Sequence, residues 1–237
     1  MKRRVNVWIL NHYAVPPEFK SGTRHFDLAR RMKGSNINVT IFSSNYIHNL
    51  CDFAEKGIIR YQVRTYDGIK FCWIKTSPYG KKSLQRVMNM AEYSIKMLLF
   101  NFRFSKPDII IGSSVHPLAV LSAYILSKRY KCKMIFEIRD LWPETLVKIG
   151  GYSNSNIVIK VMYMLERFLL KKSDIVVILF EKARKYIEKH GGPIDKIRYI
   201  PNGVSIVDFD LNANRYTSSL VRIDDMEILV AYTGAMG

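Results

Sequence analysis

The 237 residues, 48% hydrophobic and 12% aromatic, carry enough apolar material to bury a full domain core, so disorder is excluded as the overall character. A formal charge of +17, from 37 Lys and Arg against 20 Asp and Glu, favours an anionic partner: nucleic acid, a phosphorylated ligand or an acidic lipid surface. The three cysteines, Cys51, Cys72 and Cys132, are odd in number, widely spaced and without a C-x-x-C pair, which argues against a disulfide framework or a structural zinc site and suits a reducing cytoplasm.

The charge comes with no zinc-ligand pattern, no aromatic RNA-binding signature and no long basic arm, so nucleic acid is set aside as the partner. After Met1 to Arg4 the apolar run VNVWIL is broken by Asn11 and His12, too soon for the core of a signal peptide. No uninterrupted apolar run approaches the roughly 20 residues of a membrane span, so membrane association is expected to be peripheral.

Short β-like runs alternate with longer amphipathic ones, the pattern of βαβ units in a mainly parallel sheet. Strands are predicted at residues 5–10, 38–43, 69–74, 108–112, 133–138, 174–179 and 197–200. Helices are predicted at 22–33, 84–102, 117–130, 156–170 and 182–189, where apolar residues recur at helical spacing. Gly191-Gly192-Pro193 then stops the last helix. Residues 205–225 turn polar and irregular and read as a linker. A strand at 228–233 follows and runs into Gly234-Ala235-Met236-Gly237, a glycine turn of the sort that opens a phosphate-binding βα unit. The expected organisation is a doubly wound domain over 1–204, a linker over 205–226 and the start of a second domain over 227–237.

Three strand exits carry unusual chemistry. The first strand leads into Ser21-Gly22-Thr23-Arg24-His25 at a helix start, where free amide groups and the helix dipole suit an anion such as a diphosphate. Ser or Thr capping explains Ser21 or Thr23 without a ligand, but explains less readily Gly22 beside Arg24 and His25. The strand at 108–112 exits through Gly112-Ser113-Ser114-Val115-His116-Pro117, with Pro117 suited to the first turn of the next helix. His116 falls at the crevice side, although a lone histidine is often only a satisfied residue. The third exit, IFEIRDLWPE at 135–144, sets Glu137, Arg139, Asp140, Trp142 and Glu144 too close to an apolar strand for an ordinary core crossing. In open α/β sheets ligands sit just beyond the strands' carboxyl ends, which is where Arg139 to Glu144 project. A structural ion pair with a packing tryptophan is the plainer account.

Taken in order, HYAVPPEFKSGTRHFDLARRM, IIIGSSVHPLAV, IFEIRDLWPETLVKIGG, SDIVVI, KIRYIPNGV and YTGAMG make the chain resemble the N-terminal half of retaining glycosyltransferases of family 4 type with the two-Rossmann-domain GT-B fold. More narrowly it resembles the hexosyltransferase branch that builds lipid-linked precursors of bacterial O-antigen or capsule. The resemblance implies a Rossmann-like doubly wound parallel sheet, with only the first strand of the second domain present. It implies that Ser21, Gly22 and Thr23 lie near the diphosphate of a nucleotide-sugar donor, and that His116, Arg139, Asp140 and Glu144 face the acceptor and the transferred sugar. Asn202 and Gly203 are implied at the interdomain crossing, and Gly234 at the start of the donor-binding loop. The family often has two glycines where Ser21-Gly22 stands and an Asp where this chain has Ser205. The two-glutamate motif that holds the nucleotide in relatives has no counterpart here.

The resemblance further implies a polyprenyl-diphosphate-linked glycan as acceptor, no cofactor beyond the nucleotide-sugar co-substrate, no metal, and a place on the cytoplasmic face of the plasma membrane. Asp208-Phe209-Asp210 forms a D-x-D, a spacing that can hold a divalent cation, but it lies in the polar linker. Residues 81–106 set Leu84, Val87, Met88, Ala91, Ile95, Leu98, Leu99 and Phe102 along one side, with Lys81, Lys82, Arg86, Lys96, Arg103 and Lys106 around them. Such a helix suits an anionic lipid surface, or simply packs on the sheet; both readings stay open. Two functional readings remain. One is the acceptor-side half of a membrane-associated glycosyltransferase, inactive unless joined to a donor-binding half. The other is a non-catalytic truncated or split product that binds membrane or a separate C-terminal half.

Overall fold

The computed structural model describes residues 3–19, 22–80, 83–100, 102–203, 206 and 210. In chain order these form β1 (Val5–Leu10), α1 (Arg24–Met32), β2 (Ile37–Ser44), β3 (Tyr46–Ile47), β4 (Asp52–Phe53), β5 (Tyr61–Tyr66), β6 (Ile69–Ile74), α2 (Ser83–Leu99), β7 (Ile109–Ser113), α3 (Pro117–Tyr130), β8 (Lys133–Ile138), α4 (Glu144–Lys148), α5 (Ile157–Lys172), β9 (Ile175–Ile178), α6 (Ala183–Lys189) and β10 (Ile197–Tyr199). The main sheet runs β10-β9-β8-β7-β1-β2-β6-β5, parallel throughout except for β5, which pairs antiparallel with β6; β3 and β4 form a small separate pair. All these elements belong to a first unit, Met1–Asn202; of the second, Gly203–Gly237, residues 203, 206 and 210 are described.

Strand parity builds the two faces. Trp8, Leu10, Phe42, Ile74, Ile110, Phe136 and Ile178 point to one side, where Tyr93 and Met97 of α2, Ala119 and Val120 of α3, Leu169 of α5 and Ile187 of α6 cover them. Val7, Ile9, Val39, Ile41, Phe71 and Trp73 point to the other, under Phe26 and Ala29 of α1. Each large side chain buried in this way contributes about 1.5–3 kcal/mol. Gly112 sets the spacing between β7 and α3: a Cβ there would come within 2.7 Å of Ala123 Cβ and 3.1 Å of Val120 Cα.

The expected bounds of β1, β6, β8 and α3 coincide with the observed ones, and the doubly wound α/β architecture is the one observed. Four elements were not expected: the two-residue strands β3 and β4, and β5 and α4. β5 (YQVRTY) is a polar edge strand paired on one side only, so it lacks the apolar run by which the inner strands announce themselves. α4 is five residues long and begins after Pro143, too short for a helical period to show. The helix expected over 84–102 ends at Leu99, and Phe102 turns into the core against Trp8, Phe42 and Tyr61 rather than continuing the helix's apolar side. Ser21, Lys81, Lys82, Asp208, the linker over 205–226 (apart from Ile206 and Asp210), the strand over 228–233 and Gly234 lie outside the described residues.

Candidate functional site

From β1 the chain winds outward through β2 to β6, then returns to start again at β7 on β1's other side and winds outward through β8, β9 and β10. The carboxyl ends of β1 and β7 therefore flank the point at which the strand order reverses, where open α/β sheets leave a crevice. A cavity of about 360 Å³ opens there, and His12, Tyr13, Gly22, Arg139, Asp140 and Asn202 are among its walls. A larger hollow, about 670 Å³, lies at the opposite ends of β1, β2 and β6. That end lacks the converging strand exits, and we place the site in the smaller cavity.

Below the cavity, parity turns Glu137 of β8 towards α1, where it is 3% exposed. Arg24 Nε donates to its Oε1 at 2.9 Å, while His25 Nε2 at 2.6 Å and Ser113 Oγ at 2.9 Å both donate to Oε2. Asn11 fixes the tautomer: its Oδ1 accepts from the Tyr13 amide at 2.9 Å, so its Nδ2 donates to His25 Nδ1 at 2.7 Å, and the His25 proton sits on Nε2 facing Glu137. Burial opposes ionisation of Glu137, but His25 and Arg24 overcome it and hold the carboxyl well below the usual range. Arg24 reaches further. Its Nη2 donates to the Ile200 carbonyl at 2.9 Å, and its Nη1 donates to the Pro201 carbonyl at 2.7 Å and to Asn202 Oδ1 at 3.3 Å. One guanidinium thus ties α1, β8 and the chain leaving β10 together.

On the other side of β1 lies a histidine pair. His116 caps α3, its Nδ1 accepting from the Ala119 amide at 3.2 Å, which leaves the proton on Nε2 to donate to His12 Nδ1 at 3.0 Å. His12 packs tilted against Tyr13 and Tyr93, with ring centroids 4.5 and 4.8 Å away. Burial, reinforced by His116, lowers the His12 pKa well below the ordinary histidine value; burial and Arg86 lower that of His116 to about 3. Both rings are neutral at physiological pH. His116 was expected to face the crevice; it stands behind His12, which lines it.

The remaining expected residues sort as follows. Gly22 lines the cavity, and a Cβ at that position would lie 3.8 Å from Arg139 Nη2. The Thr23 hydroxyl donates to Asp27 Oδ2 at 2.6 Å and makes no capping bond to the backbone. Asp140 sits on the rim, exposed and with no hydrogen bond to its carboxylate among the described residues. Burial by its surroundings nonetheless raises its pKa, opposed by Arg139 and Arg86. Glu144 is not brought to the cavity: at the start of α4 it pairs with Lys148 at 2.9 Å and accepts from Tyr163 Oη at 2.7 Å, lining a separate hollow beside α5. Gly203 lies past the first unit with no side chain close to where its Cβ would stand.

The sequence did not single out His12 or Arg86 as site members, and Glu137, conspicuous in its strand, was given no site role. His12 falls at a strand exit, as His116 does, and that signal was available. Among the described residues no group of three or more His, Cys, Asp or Glu side chains is placed to hold a metal ion, and no helix is long and apolar enough to cross a membrane.

A family model described as "Glycosyl transferase 4-like domain" matches residues 21–203, and the chain belongs to that family. No curated protein matches it. Among solved structures it is similar to HepE of Anabaena in complex with UDP and glucose, at 13% identity and a TM-score of 0.46 over 90% of this chain and 50% of that one. It is also similar to a sucrose-phosphate synthase from Thermosynechococcus elongatus, at 11% identity and a TM-score of 0.48 over 90% and 96%. A third is CalG4, the calicheamicin glycosyltransferase, at 11% identity and a TM-score of 0.42 over 86% and 53%. The chain spans half the length of the HepE chain.

Proposed function

We propose that this chain is the acceptor-side part of a retaining, metal-independent hexosyltransferase that moves a sugar from a nucleotide-diphosphate donor to a polyprenyl-diphosphate-linked glycan in bacterial surface polysaccharide synthesis. One observation supports this above the rest. In a chain of the glycosyltransferase 4-like family, Gly22, Arg139, Asp140 and Asn202 converge on one cavity at the sheet's switch point, although they come from separate stretches of sequence.

The chemistry follows from the groups. As the glycosidic bond to the diphosphate breaks, negative charge grows on the leaving oxygens and positive charge on the sugar ring. Arg139 and the amide groups at the Gly22 end of α1 oppose the first. Asp140, its carboxylate without a hydrogen bond among the described residues and its pKa raised, accepts the proton of the attacking hydroxyl. Assay of the protein from its complete reading frame, with a panel of nucleotide sugars and a polyprenyl-diphosphate acceptor, is expected to yield a lipid-linked product with the donor's anomeric configuration. An inverted product sinks the retaining mechanism; transfer only to non-lipid acceptors sinks the lipid-linked one.

Membrane association draws support from α2, which is apolar on both sides. Tyr93 and Met97 face the sheet, while Leu84, Val87, Met88, Ile95 and Leu99 form a stripe facing solvent, with Leu84 70% and Leu99 74% exposed. An apolar stripe on a protein of charge +17 suits an anionic leaflet. Changing Lys81, Lys82 and Arg103 to Glu is expected to weaken flotation with phosphatidylglycerol vesicles by at least about tenfold, since each basic residue near such a surface contributes about 1 kcal/mol. Undiminished flotation would remove the membrane from the proposal.

A further inference from the structure

α2 carries one cation on the wrong side for a membrane helix. Arg86 precedes the buried Tyr93 and Met97 by seven and eleven residues, so all three lie on one line along the helix, the line that faces the sheet. The apolar stripe of Leu84 and Met88 faces the opposite way. Arg86 is therefore no part of the basic fringe around that stripe; half-buried, it reaches Tyr13, which lines the crevice.

Its bonding there is incomplete. Nε donates to Tyr13 Oη at 3.1 Å, and the guanidinium lies over the Tyr13 ring, 5.6 Å from the centroid. Among the described residues, Nη1 and Nη2 have no acceptor, and no carboxylate lies within ion-pair distance. Arg24, by contrast, spends Nε and both terminal nitrogens on four acceptors, and Arg64 spends its fork on Glu55. A half-buried guanidinium loses much of its hydration and ordinarily regains it through a fixed counter-charge. Here the planar fork is held ready by a ring and a hydroxyl but left open.

Among the described residues the one counter-charge that acts on it is Asp140, which Arg139 shares. Arg86 acts electrostatically on His12, His48, His116 and Asp140. Burial together with that positive field keeps the three imidazoles neutral at physiological pH, so none adds charge and none cancels it. Arg139 and Asp140 at the rim offset each other, which leaves Arg86 as the surplus. Beside it stands an aromatic wall: Tyr13 lies 5.9 Å from His48, which in turn stacks on Tyr79 at 5.5 Å and 22°. An open bidentate fork beside flat rings is the arrangement that takes a phosphate oxygen pair with an organic group attached.

We propose that Arg86 is a binding residue for a phosphate or diphosphate ester in the crevice, held between its free Nη1–Nη2 fork and the Tyr13–His48 wall. The assignment rests on the reading of the crevice as a glycosyl-transfer site and adds to it the group that fixes a substrate's phosphate. Two sources share that chemistry, the lipid-linked acceptor and the nucleotide-sugar donor.

Titration calorimetry of the purified chain with farnesyl diphosphate and, separately, with UDP tests it. Arg86→Gln is expected to weaken farnesyl diphosphate at least tenfold, about 1.4 kcal/mol, while leaving UDP unchanged. Arg86→Lys, which keeps the charge but not the fork and so tolerates the site's packing, is expected to fall between. Weakening of UDP instead keeps the subsite and names the donor as its source. If neither probe binds the wild-type chain, if Arg86→Gln with an unchanged melting midpoint binds both as tightly as wild type, or if Lys70→Gln at the other end of the sheet weakens binding equally, the proposal falls. The readout is independent of turnover. Loss of binding without transferase activity in the complete protein would sink the function and leave the subsite, whereas transfer that Arg86→Gln does not impair, with unchanged binding, would sink the subsite alone.

Discussion

Glu137→Gln is expected to cost the folded chain about 3–5 kcal/mol, read as a drop in the urea midpoint. The substitution preserves shape and removes charge. It leaves Arg24, whose side chain is 8% exposed, without its buried counter-ion, and it replaces one of the oxygens that accept from Arg24, His25 and Ser113 with a donor. A domain stabilised by about 5–15 kcal/mol is brought near unfolding by such a loss. The pH dependence carries the same sign. Because the folded-state pKa of Glu137 is depressed, its contribution is complete above the unfolded carboxyl value of about 4.3 and is lost as pH falls from there through the folded value. The gap between wild type and Glu137→Gln should therefore be widest near neutrality and close in acid. A variant within about 1 kcal/mol of wild type at pH 7 would show that the network is not what secures α1 to β8.

Asp140→Asn in the complete enzyme is expected to lower kcat by about 10²–10⁴-fold while changing KM little, the range over which a positioned general base acts. Stability should hold or rise slightly. The carboxylate makes no hydrogen bond among the described residues, and burial, the largest influence on it, disfavours its charge. The raised pKa also places the acid limb of kcat/KM above the ordinary aspartate value near 3.9. Turnover by Asp140→Asn at the wild-type rate would move the base elsewhere.

What the chain discloses in advance depends on how local the cause is. β8 and α3 can be read to the residue because their signals lie within them: the run KMIFEI, and Pro117 after a capping His116. β5 hides because Arg64 and Thr65 face outward from an edge, so no apolar run marks it. The charge of Glu137 is conspicuous in a strand, yet its partners lie 112 and 113 residues away, and no spacing rule reaches that far. Arg86 misleads for a related reason: helical periodicity gives its angle around α2, but not which side of α2 meets the sheet. Tyr93 and Met97 decide that, through packing that exists only in three dimensions.

The central pairing of the sheet has a consequence for how the molecule is made. β1 leaves the ribosome first, but its second neighbour, β7, ends only at Ser113. At about 5–20 residues per second, Trp8 and Leu10 wait roughly 5–20 s for the Ile110, Ala119 and Val120 side chains that will cover them. During that interval a half-sheet of β1, β2 and β6 shows one bare apolar face and one open edge, a combination prone to wrong pairing. The crevice thus comes into being late: the insertion of β7 sets His116 against His12, and the wall of Arg139, Asp140 and Asn202 follows only with the strands beyond it. A nascent chain stalled before Ser113 would hold His12, Tyr13 and Gly22 of the cavity wall but lack the Arg139, Asp140 and Asn202 that face them.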